Sequence, residues 1–242
     1  MSQARTFFAG ASTMGIALAV IFGLTGARAP ASHANFDEIT VGRINIVEPD
    51  GTKRLIISNK AQFPGEFQQG KEVQRPDRRS FAGMLFVNEE GTENGGLLQK
   101  GSINSEGKIS SGLSLTLDRF RQDQALQLLS QDSDKSQSAA LMINDVPYFK
   151  VTSPTDMRDF NEASNKLPAA ERKAYWEKLS ADNRLSQNRI YLGTTRDKGS
   201  SLVLNDAKGK PRMMLLVTAE GKAEIQMLDE NGKVEKTFSA MN

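Results

Sequence analysis

The chain has 242 residues, of which 38% are hydrophobic and 25% are charged, so its composition is that of a globular protein and excludes global disorder. It has no cysteine, and its only histidine is His33, which excludes Ser-His-Asp triads, Cys-His pairs, Cys/His zinc or haem sites and disulfides from everything after that residue. Two of the 31 basic residues, Arg5 and Arg28, precede residue 35, whereas all 29 acidic residues follow it, and the neutral remainder argues against a nucleic-acid partner.

The first predicted element is an apolar segment of 21 residues without a charge, from Thr6 to Gly26. As a helix it would be about 31 Å long, enough to cross a hydrocarbon core of about 30 Å. We therefore predict that residues 1–34 comprise an N-terminal membrane segment and a linker, which place a single-pass protein in the cell membrane with its C-terminal domain outside the cytoplasm. The alternative is a secretory signal that is cleaved before Asn35 and releases a secreted or periplasmic protein. Both interpretations predict export.

Residues 35–242 are predicted to form a single β-rich extracytoplasmic domain, because one turn pattern recurs six times between β-prone runs. In this pattern a capping residue is followed three positions later by a glycine that takes positive φ and closes a hairpin. The six glycines are Gly51, Gly91, Gly107, Gly209, Gly221 and Gly232. Six such turns predict an antiparallel sheet.

Apolar alternation supports the sheet. Leu113, Leu115 and Leu117 share one face of a predicted strand, and a second strand, around Leu215, alternates in the same way. The last three turn glycines are 12 and 11 residues apart, which is typical of a meander. The predicted fold is mainly β, an antiparallel hairpin or meander barrel or sandwich.

Two stretches interrupt the β pattern. Residues 154–181 carry apolar side chains at helical spacing and a Pro-Ala-Ala-Glu start at Pro168, which predicts a two-helix insertion. Residues Phe63 to Ser80 contain two prolines and two glycines and are predicted to form a long loop.

Several runs resemble a family of uncharacterised bacterial proteins that are membrane-anchored or exported and β-rich. The runs are residues 44–51, 54–60, 63–65, 88–97, 121–124 and 209–212. The resemblance covers most of residues 36 to 238. It implies the β-rich architecture and the N-terminal membrane segment, and no activity.

The candidate metal ligands are Glu89, Glu90, Glu93 and Asn94, whose oxygens lie close together in sequence and suit a hard cation such as calcium. Because their spacing is not that of an EF-hand loop, an acidic hairpin tip is the simpler interpretation. The sequence assigns no catalytic residue, no cofactor-binding residue and no cofactor.

Two other charged groups are candidates for surface structure. Residues 118–124, which include Asp118, Arg119, Arg121 and Asp123, join two predicted strands and suggest an ion-paired turn in preference to a polar binding edge. The basic run from Arg75 to Arg79 is interrupted by Asp77 and predicts a solvated loop.

The function that these observations favour is a non-enzymatic binding or assembly module of the cell envelope. Its partners would be the membrane, through the N-terminal segment, and an envelope protein, a glycan or a second copy of itself. The alternative is a carboxylate-dependent enzyme acting on envelope glycans, because two carboxylates about 5 to 10 Å apart suffice for glycoside hydrolysis. A cleft holding two carboxylates with different pKa values would favour the enzyme.

Overall fold

The computed structural model describes residues 33–195 and 197–239. The chain divides into two units, residues 1–40 and 41–242. The described part of the first unit, residues 33–40, has no helix or strand and exposes Phe36 and Ile39. The predicted membrane segment lies outside the described residues, and among those described no helix has the length and apolar character needed to cross a membrane.

The described part of the second unit is built mainly from β-strands. Strands β1 to β5 are Arg43–Val47, Lys53–Ser58, Glu66–Gln68, Lys71–Val73 and Ala82–Val87. Strands β6 to β9 are Glu93–Ile103, Ile109–Asp118, Gln124–Ser133 and Gln137–Asp145. Strands β10 to β14 are Gln187–Thr194, Ser200–Asn205, Pro211–Val217, Ala223–Leu228 and Val234–Ser239. Helices α1 and α2 are Pro154–Lys166 and Ala169–Ala181.

Twelve of the strands form one antiparallel sheet in the order β1-β2-β5-β6-β7-β8-β9-β10-β11-β12-β13-β14, and β3 and β4 form a separate hairpin. The predicted antiparallel meander is confirmed. The predicted barrel is wrong, because β1 and β14 are the two open edges of the sheet. The described residues do not form a sandwich of two large sheets either, because their second sheet has only two strands. Hairpin turns determine which neighbours pair, but they do not determine whether the ends of a sheet meet.

All six predicted turns are confirmed. In each, the glycine donates its N–H to the carbonyl three residues earlier, over 2.9 to 3.1 Å. The glycines have φ between 72° and 90°, in the left-handed region that only glycine enters without strain.

The predicted loop from Phe63 to Ser80 is wrong, because it contains the β3–β4 hairpin. Gln68 pairs with Lys71, so the turn consists of Gln69 and Gly70, with φ of 49° and 79°. Two consecutive positive φ values define the turn type that favours a tight hairpin. A 3-10 helix, Pro76–Ser80, follows the hairpin.

The two-helix insertion is confirmed between β9 and β10. Helix α1 begins with a capping box in which the Ser153 hydroxyl accepts from the Asp156 N–H and the Asp156 carboxylate accepts from the Ser153 N–H. The helices are joined by a hydrogen bond over 2.9 Å from Trp176 Nε1 to Ser164 Oγ.

Strand alternation gives the sheet two different faces. On one face, which we call the cleft face, Ile56, Leu85 and Val87 pack with Phe67 of the β3–β4 hairpin and form the buried core. On the other, which we call the apolar face, two cross-strand rows run from β1 to β14. Row 1 is Ile44, Ile57, Met84, Leu97, Leu115, Leu128, Leu141, Leu192, Leu202, Leu215, Ile225 and Phe238. Row 2 is Ile46, Leu55, Phe86, Gly95, Leu117, Leu126, Ile143, Ile190, Leu204, Met213, Met227 and Lys236.

Candidate functional site

The candidate site is a cleft of about 1140 Å³ on the cleft face. Strands β6 to β8 contribute its floor, including Ser114, Thr116 and Gln127. Its walls come from the β3–β4 hairpin, the 3-10 helix after it, the β7–β8 turn and the first turns of α1. The cleft therefore exists only where the hairpin and the helical insertion rise above the sheet.

An ion pair between Arg78 and Glu93 is buried in one wall. The guanidinium donates to both carboxylate oxygens, over 2.7 and 2.8 Å, and each side chain is only 11% exposed. Arg78 also donates to the Gly65 carbonyl over 3.1 Å, which fixes the guanidinium against the hairpin. Because such bidentate pairs are rigid, Arg78 is a structural element of the cleft and the prediction of a solvated basic loop is wrong for it.

A second charged group surrounds Glu66, whose side chain is 9% exposed. Its carboxylate accepts from Arg75 over 2.9 Å and lies 3.4 Å from Arg158 of α1. Arg75 also donates to Asp77 and holds the pKa of that carboxyl below its usual value. Glu66 therefore links the hairpin, the 3-10 helix and α1, which form three sides of the cleft.

Asp118 is the ionisable group that the fold perturbs most clearly. Its Oδ1 atom is buried and has no hydrogen-bond partner. Burial raises the pKa of the Asp118 carboxyl to about 7, and the negative charges of Glu93 and Asp123 add to that shift. The nearby Arg78 guanidinium and a hydrogen bond with Thr116 lower the same pKa but do not cancel the effect. Near neutral pH, Asp118 is a partly protonated acid at the end of the cleft floor.

The β7–β8 turn is closed by its own backbone hydrogen bonds, from Arg119 to Asp123 and from Gln122 to Arg119, and its side chains also contact other elements. Arg121 donates to both oxygens of Glu90, with distances from 2.6 to 3.0 Å, and this contact holds the pKa of Glu90 below its usual value. Arg119 lies 3.8 Å from Asp145. The Gln122 amide donates to the buried Thr152 carbonyl next to α1. The predicted ion-paired turn is confirmed, and the partners of its arginines, Glu90 and Asp145, lie outside the turn.

The four residues predicted to bind a cation are separated by these pairings. Glu89 lies 2.8 Å from Arg54, Glu90 pairs with Arg121 and Glu93 pairs with Arg78. In the part of the chain that the structure describes, no group of three or more His, Cys, Asp or Glu side chains is placed to hold a metal ion. The calcium site stays a prediction from the sequence.

The floor of the cleft presents uncharged hydrogen-bonding groups. Gln127 Nε2 donates to Ser114 Oγ over 2.8 Å, and the Thr116 hydroxyl accepts from the Gly96 N–H over 3.2 Å. The rings of Phe81 and Phe149 lie at the margins. Arg75, Arg78 and Arg121 are paired with carboxylates. The cleft therefore offers a ligand amides, hydroxyls and aromatic rings, together with the charged side chains of Lys100, Asp118, Asp123 and Asp132.

Comparison with known proteins adds no assignment to this site. No protein-family model matches the chain. No curated protein matches it either.

Proposed function

We propose that the β domain is a non-enzymatic binding module of the cell envelope and that its cleft holds an uncharged glycan. The observation that carries the proposal is the lining of the cleft, where ion pairs hold Arg78 and Arg121 in the walls and the amide and hydroxyl groups of Ser114, Thr116 and Gln127 lie on the floor. A charged ligand could use these two arginines only by displacing Arg78 from Glu93 or Arg121 from Glu90, at the cost of leaving a partner unpaired. A ligand rich in hydroxyl groups needs no such exchange.

The dimensions of the cleft also favour a small oligomer of sugars. Its volume of about 1140 Å³ is slightly above the range for small-molecule sites, about 300 to 1,000 Å³. Aromatic rings at the margin suit the apolar faces of sugar rings. In this proposal the predicted membrane segment keeps the module close to the envelope glycans that it binds.

The proposal is tested by titrating the full chain with a tetramer of β-1,4-linked N-acetylglucosamine and measuring heat of binding. Gln127→Leu removes an amide from the floor while keeping the side-chain size, and we expect it to weaken binding about tenfold or more. The matched control is Gln226→Leu, because Gln226 lies on the same cross-strand row and face as Gln127 but outside the cleft. We expect the control to bind as the unmodified chain does.

Absence of binding to this tetramer and to a second neutral oligosaccharide, a β-1,4-linked glucose tetramer, would contradict the proposal. So would equal loss of affinity in Gln127→Leu and Gln226→Leu, because the effect would then not come from the cleft.

A carboxylate-dependent glycan hydrolase is the second candidate, and one specific observation favours it. Asp118, with a pKa of about 7, would serve as the general acid, and Glu93, which also lines the cleft, would be the second carboxylate. A carboxyl whose pKa is raised toward neutral pH is typical of a general acid. Release of new reducing ends from the tetramer, lost in Asp118→Asn, would favour this candidate; binding without turnover would favour the module.

A further inference from the structure

The apolar face is somewhat larger than the largest apolar patch that a soluble monomer ordinarily exposes. Row 1 contains an apolar residue in every one of the twelve strands, and row 2 contains one charge, Lys236, on the edge strand. Leu128 is 46% exposed, Leu192 50% and Leu215 42%. Seven of the twelve residues of row 1 are exposed, and the other five, Met84, Leu97, Leu115, Leu141 and Leu202, are half-buried. The largest apolar patch on a soluble monomer is about 300 to 600 Å².

The dimensions of the face match those of a dimer interface. Twelve strands at a spacing of about 4.8 Å extend about 53 Å, and two rows of side chains cover a width of about 14 Å. The resulting area of about 700 Å² is close to the roughly 800 Å² that each partner contributes to a stable complex. A shallow groove of about 670 Å³ on strands β9 to β14, lined by Leu192, Leu215 and Ile225 among others, lies on this face.

The chemistry of the face selects among possible occupants. Surfaces that dock on membranes combine apolar side chains with several lysines or arginines, and the two rows hold only Lys236. A glycan needs polar partners, which the rows lack. A second copy of the same face brings no charge in these rows other than Lys236, and the two Lys236 side chains stay apart when β1 of one copy faces β14 of the other. Two sheets packed at about 10 Å form the usual core of a β-sandwich.

We infer that the apolar face is the interface of a homodimer, in which two copies of this chain pack their sheets face to face about a two-fold axis. The two copies together complete the sandwich that a single chain leaves half built. The inference does not depend on the cleft, which lies on the opposite face of each sheet.

The absence of cysteine makes a direct test available. Three single-cysteine variants of the full chain are prepared in membranes. The cysteine replaces a row 1 residue in each: Leu128→Cys, Leu192→Cys and Leu215→Cys. Each has its preceding residue as a control, in Gln127→Cys, Tyr191→Cys and Met214→Cys, because consecutive residues of a strand point to opposite faces. A bis-maleimide with a reach of about 10 Å reports proximity between copies.

We expect covalent dimers from at least one row 1 cysteine, about tenfold above its control, and loss of those dimers when Leu202→Lys is added. Row 1 cysteines that form no dimer yet resist a water-soluble maleimide would show that another occupant, such as lipid or a different protein, covers the face. Row 1 cysteines that form no dimer and react fully would show that the face is free. Either result would overturn the inference, as would equal dimer yields from both faces.

Discussion

The two ends of the twelve-stranded sheet are packed very differently. From β2 to β8, the β3–β4 hairpin and the helical insertion cover the cleft face, and Ile56 and Leu85 are completely buried there. From β11 to β14, the strands contact mainly their neighbours in the sheet. Among the described residues, Leu228 is the one hydrophobic side chain of β10 to β14 that is buried.

This difference in burial could not be predicted from the sequence, because the end of the sheet that is less covered has the more apolar strands. Strand β12 carries Met213 and Leu215 on the apolar face and Met214 and Leu216 on the cleft face. Strands that are apolar on both faces are ordinarily buried on both faces. The β10–β14 end therefore has apolar side chains on both faces that the described residues cover only in part. The following predictions compare the two ends directly.

The largest expected effect comes from truncating a leucine at each end. Leu85→Ala removes a side chain that is 0% exposed and should lower the free energy of unfolding by about 3 kcal/mol. Leu215→Ala removes one that is 42% exposed and should cost about 1 kcal/mol or less when the chain is monomeric. Urea unfolding followed by far-UV circular dichroism measures both. Equal costs in dilute protein would mean that the two ends are equally packed.

A smaller contrast is expected between two turn glycines. Gly91 has φ of 76°, and a Cβ there would lie 2.6 Å from the backbone nitrogen of Gly70, because the two turns abut. Gly221 has φ of 86° and nothing within 4 Å. Gly221→Ala should cost about 1 kcal/mol, from backbone strain alone, and Gly91→Ala about 2 to 3 kcal/mol, because the backbones must also separate. Thermal unfolding of the two variants tests the difference, which would vanish if the hairpin did not dock.

The smallest effect is a pH dependence that has opposite signs at the two ends. The folded-state pKa of Asp118 is raised from 3.8 to about 7, so the folded protein loses stability as pH rises through that window. At pH 8 the free energy of unfolding of Asp118→Asn should therefore exceed that of the unmodified chain by about 1 kcal/mol, and at pH 4 the two should be equal. The 1 kcal/mol is smaller than the full pKa shift would give, because water reaches part of the carboxyl.

Asp229 at the other end behaves in the reverse way. Backbone N–H groups, first that of Lys233, hold its pKa below 3.8, so the stability it contributes is present above pH 3.8 and is lost as pH falls further. Unfolding measured at pH 3, 4, 6 and 8 for Asp118→Asn and Asp229→Asn separates the two signs. The same trend in both variants would contradict the assignment.

Local features of the fold could be predicted because they depend on neighbouring residues. The glycine turns, the strand alternation and the capped start of α1 each follow from a few adjacent side chains. The β3–β4 turn was missed because Gln69, which is not a typical residue for positive φ, occupies its first position. The open edges were missed because a strand in a barrel and a strand in an open sheet have the same alternation.

The cleft was beyond sequence reasoning because its contacts join distant segments. Arg78 meets Glu93 across 15 residues and Arg121 meets Glu90 across 31. The sequence placed these charges in separate loops, where pairing within each loop was the nearest alternative. Asp118 carried no signal at all, since its pKa depends on burial that only the assembled walls create.

The order of strands in the sheet has a consequence for how the chain folds. Neighbours in the sheet are neighbours in the chain, except that the hairpin lies between β2 and β5 and the two helices lie between β9 and β10. A nascent chain can therefore add each new strand to the edge left by the previous one, without waiting for a distant partner. The two insertions are the places where a longer loop must close before the next strand can pair with the previous one.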